Sequence, residues 1–322
     1  MNEKQITESA SNSEFLSGIE EYLKFQKQDE MAVLIHSVAS ILQKDNTPIG
    51  FCKGFLQNLG GIIPNIQQQD LINLAYDFSK AMESESFDED AIGIYMSTLD
   101  RKLPNDKIFR GINTCLKNGI SRSSINDAFS RSQMRSKFWL VEELEKIETN
   151  YNNVAVMAGW FGQLKPIYDK KLTYSKMRII ELDKAACETS DYIFNLSNLE
   201  NYKVKSVNAD INNLTLHKNG YEWDVENFKE NTKYTEKYLP DLIVNTSAEH
   251  MTEDWFHQIR FKEMESNPIV AIQSNNMFDG EGHINCVYSA DHMKKKFPMK
   301  EVLYEGELQL KGYKRVMIIG RP

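Results

Sequence analysis

Cysteine is scarce in this chain, and the four present, Cys52, Cys115, Cys187 and Cys286, never form a C-x-x-C pair. That scatter excludes a sequence-local zinc motif or a redox dithiol and suits reduced, buried thiols. Long apolar runs are missing too: none approaches the roughly 18 apolar residues of a membrane-spanning helix. The opening stretch MNEKQITESASNSEF lacks both the basic and the apolar regions of a secretory signal. A soluble, cytoplasmic protein with no membrane partner is therefore expected. Positive charge is in deficit, with a net charge of −8 at pH 7. Such a field repels polyanions, so nucleic acid is not implied as a partner. Glycine and proline are few, a bias without functional weight.

What is present is ordinary for a folded protein: 322 residues, 41% hydrophobic and 26% charged, a length that suits about two domains. Residues 1–13 are polar, rich in Ser, Glu and Asn, and read as a disordered N-terminus. From residue 14 to 130 the apolar residues recur at helical spacing, giving an all-α domain. Phe15, Ile19, Tyr22 and Leu23 form one stripe, and Met31, Leu34, Ile35, Val38, Ile41 and Leu42 another. Further helices are expected over 67–83 and 88–99, with breaks at Asn46-Thr47-Pro48, Gly60-Gly61 and Pro64. Acidic residues outnumber basic ones in this front part. Another helix opens at Arg122, and 132–147 is strongly amphipathic, with Met134, Phe138, Val141, Leu144 and Ile147 on one face.

After residue 150 short apolar runs alternate with helical stretches, the pattern of an α/β sheet. Seven strands are expected, at 154–158, 177–182, 204–208, 242–245, 269–273, 302–310 and 315–319. Helices fit between the first six, at 163–170, 184–194, somewhere in 212–238, 253–265 and 289–297. Only Lys311-Gly312-Tyr313-Lys314 separates the last two strands, too short a link for a crossover helix, so they pair as an antiparallel hairpin.

An open sheet closed by one reversed strand resembles the class I S-adenosylmethionine-dependent methyltransferases over residues 132–322, within a domain expected to span 131–322. The Trp139-Leu140 helix, the Gly159-Trp160-Phe161-Gly162 turn and the Asn245-Thr-Ser-Ala-Glu-His-Met251 segment look like methyltransferase-like proteins encoded by bacteriophages. The fold so implied is a Rossmann-like, seven-stranded methyltransferase sheet with a terminal antiparallel hairpin, preceded by an all-α domain. The cofactor implied is S-adenosyl-L-methionine, and the location is the cytoplasm, the host's for a phage protein.

Ligands of open α/β sheets lie outside the carboxyl ends of the strands, where glycines let the backbone approach. Gly159 and Gly162, with Trp160 between them, occupy that place after the first strand, although Ala158 stands where the family has glycine or an acid. The turn would cradle the methionine end of the cofactor, or serve as a tight packing turn. A carboxylate ending the second strand can accept both ribose hydroxyls. Asp183 has that role by position, with Glu181 as the alternative; Asp183 can equally cap the helix that follows. The resemblance gives Asp210, after the third strand, the adenine amino group, against a plain surface turn. It also sets Lys137 and Trp139 near the cofactor rim.

The fourth strand runs into the polar segment holding Asn245, Glu249 and His250. These can orient an acceptor, and a histidine beside a carboxylate can take its proton. Their alternative is capping and backbone pairing. Asn275 and His283, in the loop after the fifth strand, are further acceptor candidates. No histidine or cysteine spacing marks a metal site. The reading is a methyltransferase acting on an unidentified acceptor, with a protein partner for the helical front. The alternative is a catalytically inactive methyltransferase fold with a structural or interaction role, favoured by the thinned glycine motif. A nicotinamide-linked dehydrogenase fits less well, since G-x-G-x-x-G is missing.

Overall fold

The computed structural model describes residues 3–27, 97, 100, 107–117, 119–194, 203–214, 220–227, 232–259, 264 and 266–322. The helices expected over 31–42 and 67–83, most of that over 88–99, the three breaks and Cys52 lie outside these residues. Two structural units are distinguished: Met1–Arg135 with Tyr192–Asn195, and Ser136–Asp191 with Leu196–Pro322.

In the first unit, helix α1 (Glu3–Phe25) is followed by α2 (Lys107–Lys117), α3 (Arg122–Ala128) and the start of α4 (Arg131–Ile147). Phe15, Leu16, Ile19, Tyr22 and Leu23 form the buried stripe of α1, the spacing that one helical face requires. Tyr22 meets Phe109 of α2 edge-on. Gly18 lets α1 approach α3, since a Cβ there would stand 1.7 Å from the Phe129 carbonyl oxygen. Helix α1 begins at Glu3, within the stretch expected to be disordered. The reason is cooperative: once the apolar part of α1 is nucleated by packing, extending it costs little per residue, and no proline or glycine precedes Gly18 to stop it.

The second unit is α/β. Its strands are β1 (Asn150–Met157), β2 (Thr173–Glu181), β3 (Val204–Asn208), β4 (Tyr221–Asn227), β5 (Thr232–Tyr238), β6 (Leu242–Asn245), β7 (Ile269–Asn275), β8 (Glu301–Gln309) and β9 (Lys314–Arg321). Interleaved are α5 (Leu164–Lys171), α6 (Lys184–Phe194), α7 (Asp254–His257) and α8 (Ala290–Lys296). Seven strands make one sheet in the order β3-β2-β1-β6-β7-β9-β8. The first five are parallel, while β9 runs antiparallel to both β7 and β8. All seven expected strands are therefore present, and the short link does force a hairpin.

β7 is buried at every residue and β9 at six of eight, as continuous apolar runs in a doubly covered sheet should be. β8, at the edge, is exposed or half-buried throughout and carries Glu301, Glu305 and Glu307, charges that discourage edge-to-edge pairing. Alternate residues Ala155 and Met157, Val270 and Ile272, and Val316 and Ile318 join one core with Trp255, Phe256, Met293 and Phe297.

Two expectations fail here. The 212–238 stretch holds no helix among its described residues; β4 and β5 form a two-stranded antiparallel ribbon. It is pinned to the sheet by buried Arg178 of β2, which pairs with Glu236 at 2.5 Å, and by the Tyr238 hydroxyl, which donates to the Val154 and Lys176 carbonyls. Alternating Tyr221 and Trp223 on the buried face, with Glu222 and Asp224 exposed, is a strand period that the helical expectation overlooked. The 253–265 helix is short: only Asp254–His257 is helical among its described residues.

Candidate functional site

The parallel order reverses direction between β1 and β6, and the carboxyl ends of strands on either side of such a switch frame a crevice. β1 leaves it through Ala158-Gly159-Trp160-Phe161-Gly162. Ala158 and Trp160 both have φ of +47°, and Gly162 has +68°. The left-handed region costs a non-glycine residue about 1–2 kcal/mol, and such strain is retained mainly where it serves a site. Gly159 is needed for space, because a Cβ there would lie 2.4 Å from Ile179 Cγ2.

The turn is tied to the end of β2. The backbone N–H of Trp160 donates to Glu181 Oε2 at 2.8 Å, and that of Asp183 to Oε1 at 3.1 Å. A carboxylate has about four acceptor positions, so half-buried Glu181 keeps acceptor capacity on each oxygen. Asp183, placed first for the ribose, caps α6 instead: its Oδ1 accepts the Ala185 N–H at 2.8 Å. The chain leaves the sheet at Glu181, and two residues later it must satisfy the open N–H groups of a helix. Asp210 likewise closes its own turn, accepting the Asn212 N–H and the Asn213 side-chain amide. Trp139 donates to the Tyr304 hydroxyl on edge strand β8, which takes it away from the β1 end of the sheet.

The other side of the crevice is built from buried charge. Glu249, in the short 3₁₀ turn Ala248–His250 after β6, accepts Arg315 Nη1 at 2.7 Å and Asn275 Nδ2 at 2.9 Å, both on Oε1. Both members of the ion pair are 3% exposed at the side chain. Arg315 also donates to the Thr246 carbonyl at 2.5 Å. Asn275 and Arg315 face each other in the β7–β9 register, so the reversed strand delivers the arginine to the loop after β6. The Glu249 carbonyl in turn accepts the N–H groups of Ile284 and Asn285, fastening the loop that follows β7.

That loop brings His283 against His250, their ring centroids 4.7 Å apart at 76°. Cys286 donates its thiol to Asn275 Oδ1, and burial, reinforced by the Glu249 carboxylate, holds that thiol above its ordinary pKa. Asn245, expected at the acceptor, is fully buried, with its amide committed to the Ser247 N–H and Met251 Sδ. Its strand is flanked by β1 and β7 and has only four residues, so its last side chain shapes the turn. Arg315 is the residue that sequence reasoning missed; its one signal is a lone arginine opening the apolar run Val316–Ile319. Cys115, Cys187 and Cys286 are buried thiols outside any disulfide.

No protein-family model and no curated protein matches the chain. Among solved structures, the N-methyltransferase NodS from Bradyrhizobium japonicum is similar with a TM-score of 0.41 and 9% identity, over 58% of this chain and 96% of that one. A SAM-dependent methyltransferase from Aquifex aeolicus gives 0.36 and 12%, over 56% and 88%. One from Leishmania major gives 0.40 and 15%, over 60% and 76%. The strand order and the reversed β9 make a Rossmann-like seven-stranded sheet with a terminal antiparallel hairpin, as expected.

Proposed function

We propose that the chain is an S-adenosylmethionine-dependent methyltransferase, with the cofactor across the carboxyl ends of β1 to β3 and the acceptor beyond β6. The observation that carries this reading is the strained β1 turn bound to Glu181. A left-handed Ala158 and Trp160 present backbone to the crevice beside a carboxylate with acceptor capacity to spare. Glu181 suits a vicinal diol, and Leu182, 67% exposed beside it, offers an apolar surface to a base. Gly159, Trp160 and Gly162 line the methionine end, and Asp210 stands by the adenine amino group. Asp183 supports the site as a helix cap.

The cofactor supplies a sulfonium methyl, so the protein need only hold an acceptor in line and accept its proton. Exposed His250 meets the acceptor, backed by Glu249 and Arg315. The helical front, residues 14–130, supplies partner recognition. The location is the cytoplasm, the host's if the chain is phage-encoded; among the described residues no helix is long and apolar enough to cross a membrane.

Calorimetric titration with S-adenosylmethionine and S-adenosylhomocysteine tests the reading. Micromolar binding is expected, about −8 kcal/mol. Glu181→Gln removes a charged acceptor at a cost of about 1.5–3 kcal/mol, roughly a 10- to 150-fold loss. Unchanged affinity in that variant removes the ribose assignment, and no heat from wild type at millimolar ligand removes the cofactor.

A further inference from the structure

We propose that Glu249, His250 and His283 bind one divalent transition-metal ion of the zinc type, on the face where the acceptor would enter. One ligand atom from each of the three lies within 4.8 Å of the others. The proposal goes beyond the methyl-transfer reading and does not depend on it. It turns His250 from a proton acceptor into a ligand.

Three features point to a cation. Glu249 spends only one oxygen on Arg315 and Asn275, while Oε2 is buried with no hydrogen-bond partner among the described residues. A dry carboxylate oxygen is costly, and a metal ion would satisfy it. Both imidazoles are oriented from behind. His250 Nδ1 lies 3.2 Å from the Gly282 carbonyl oxygen, and His283 Nδ1 lies 2.9 Å from that of Met277. A carbonyl only accepts, so each Nδ1 carries a proton, which leaves Nε2 as the nitrogen that would take a metal, the way metal-binding imidazoles are held. Finally, two histidines and one carboxylate with His250 open to solvent are the donor set of zinc and ferrous sites that keep free coordination positions.

Bonds of about 2.0–2.2 Å bring ligand atoms within roughly 3.5 Å of one another, so the three groups would close by about 1–2 Å on binding. The loop carrying His283 can supply that movement. It holds Gly280 and Gly282, the latter with φ of +70°. A Cβ at Gly280 would stand 2.4 Å from His283 Nδ1, so an alanine there must displace the ring. Arg315, on the opposite carboxylate oxygen, weakens the field at the ion, which sets the expected affinity in the micromolar range.

The test uses the untagged full chain, stripped with chelator and titrated with zinc by calorimetry and with cobalt(II) by visible absorption. One equivalent per chain is expected, with cobalt ligand-field bands. His283→Ala and His250→Ala should weaken zinc binding more than tenfold, and Gly280→Ala should weaken it while far-UV circular dichroism stays unchanged. His257→Ala, on α7, should bind as wild type does. No binding at millimolar zinc, or equal affinity in His283→Ala, overturns the site. S-adenosylhomocysteine titrated into the same metal-free and zinc-loaded samples tests the cofactor separately, and Glu181→Gln should lose that ligand while keeping zinc.

Discussion

The two sides of the crevice are made by different means. At the ends of β1, β2 and β3 the polar groups are half-buried or exposed and bond mostly to nearby backbone: Glu181 to the turn one βα unit away, Asp183 to its own helix, Asp210 to its own loop. Beyond β6 the central groups Glu249, Asn275 and Arg315 are buried and bond side chain to side chain, Glu249 to residues 26 and 66 positions later. One side leaves acceptor capacity facing outward, as a ligand-binding rim should. The other stores charge in the interior, where stability and chemistry depend on the same atoms.

The sharpest way to break this contrast is Arg315→Met. Removing one partner of a buried ion pair leaves its carboxylate uncompensated, and about 3–5 kcal/mol of unfolding free energy should be lost in urea titrations. Arg315→Met with Glu249→Leu should recover much of that loss. A single-variant cost below about 1 kcal/mol would mean the two sides are alike after all.

On the rim, Asp183→Ala should cost about 1 kcal/mol through the lost cap, with affinity for S-adenosylhomocysteine held within a factor of about two. A tenfold loss of affinity would return the ribose role to Asp183. The smallest effect is expected of Ala158→Gly, which relieves a left-handed alanine and should raise stability by up to about 1 kcal/mol. A fall in thermal midpoint would show that the Ala158 methyl makes packing contacts outweighing the strain.

How well each side could be read from the residues follows from the same contrast. The strands were legible because each is a short apolar run with its own period, and the final hairpin because four residues cannot span a crossover. The glycine turn was legible because its residues are adjacent. Glu181 and Asp183 were both visible, but the bond from the β1 turn to Glu181 was not: it depends on where β2 stops pairing with β3, which is a property of the sheet. The β4–β5 ribbon was missed although its alternation is local, since its burial is fixed by Arg178 and Glu236, 58 residues apart.

By itself the sequence determined an acidic chain with a seven-stranded sheet in its second half, since propensity, periodicity and loop length act over a few residues. Only the tertiary structure decided that Asn245 is buried, that Asp183 is a cap, that Arg315 compensates Glu249, and that His283 meets His250. Those outcomes hang on strand register and on the reversed direction of β9, and burial in a shared interior couples residues whatever their distance along the chain.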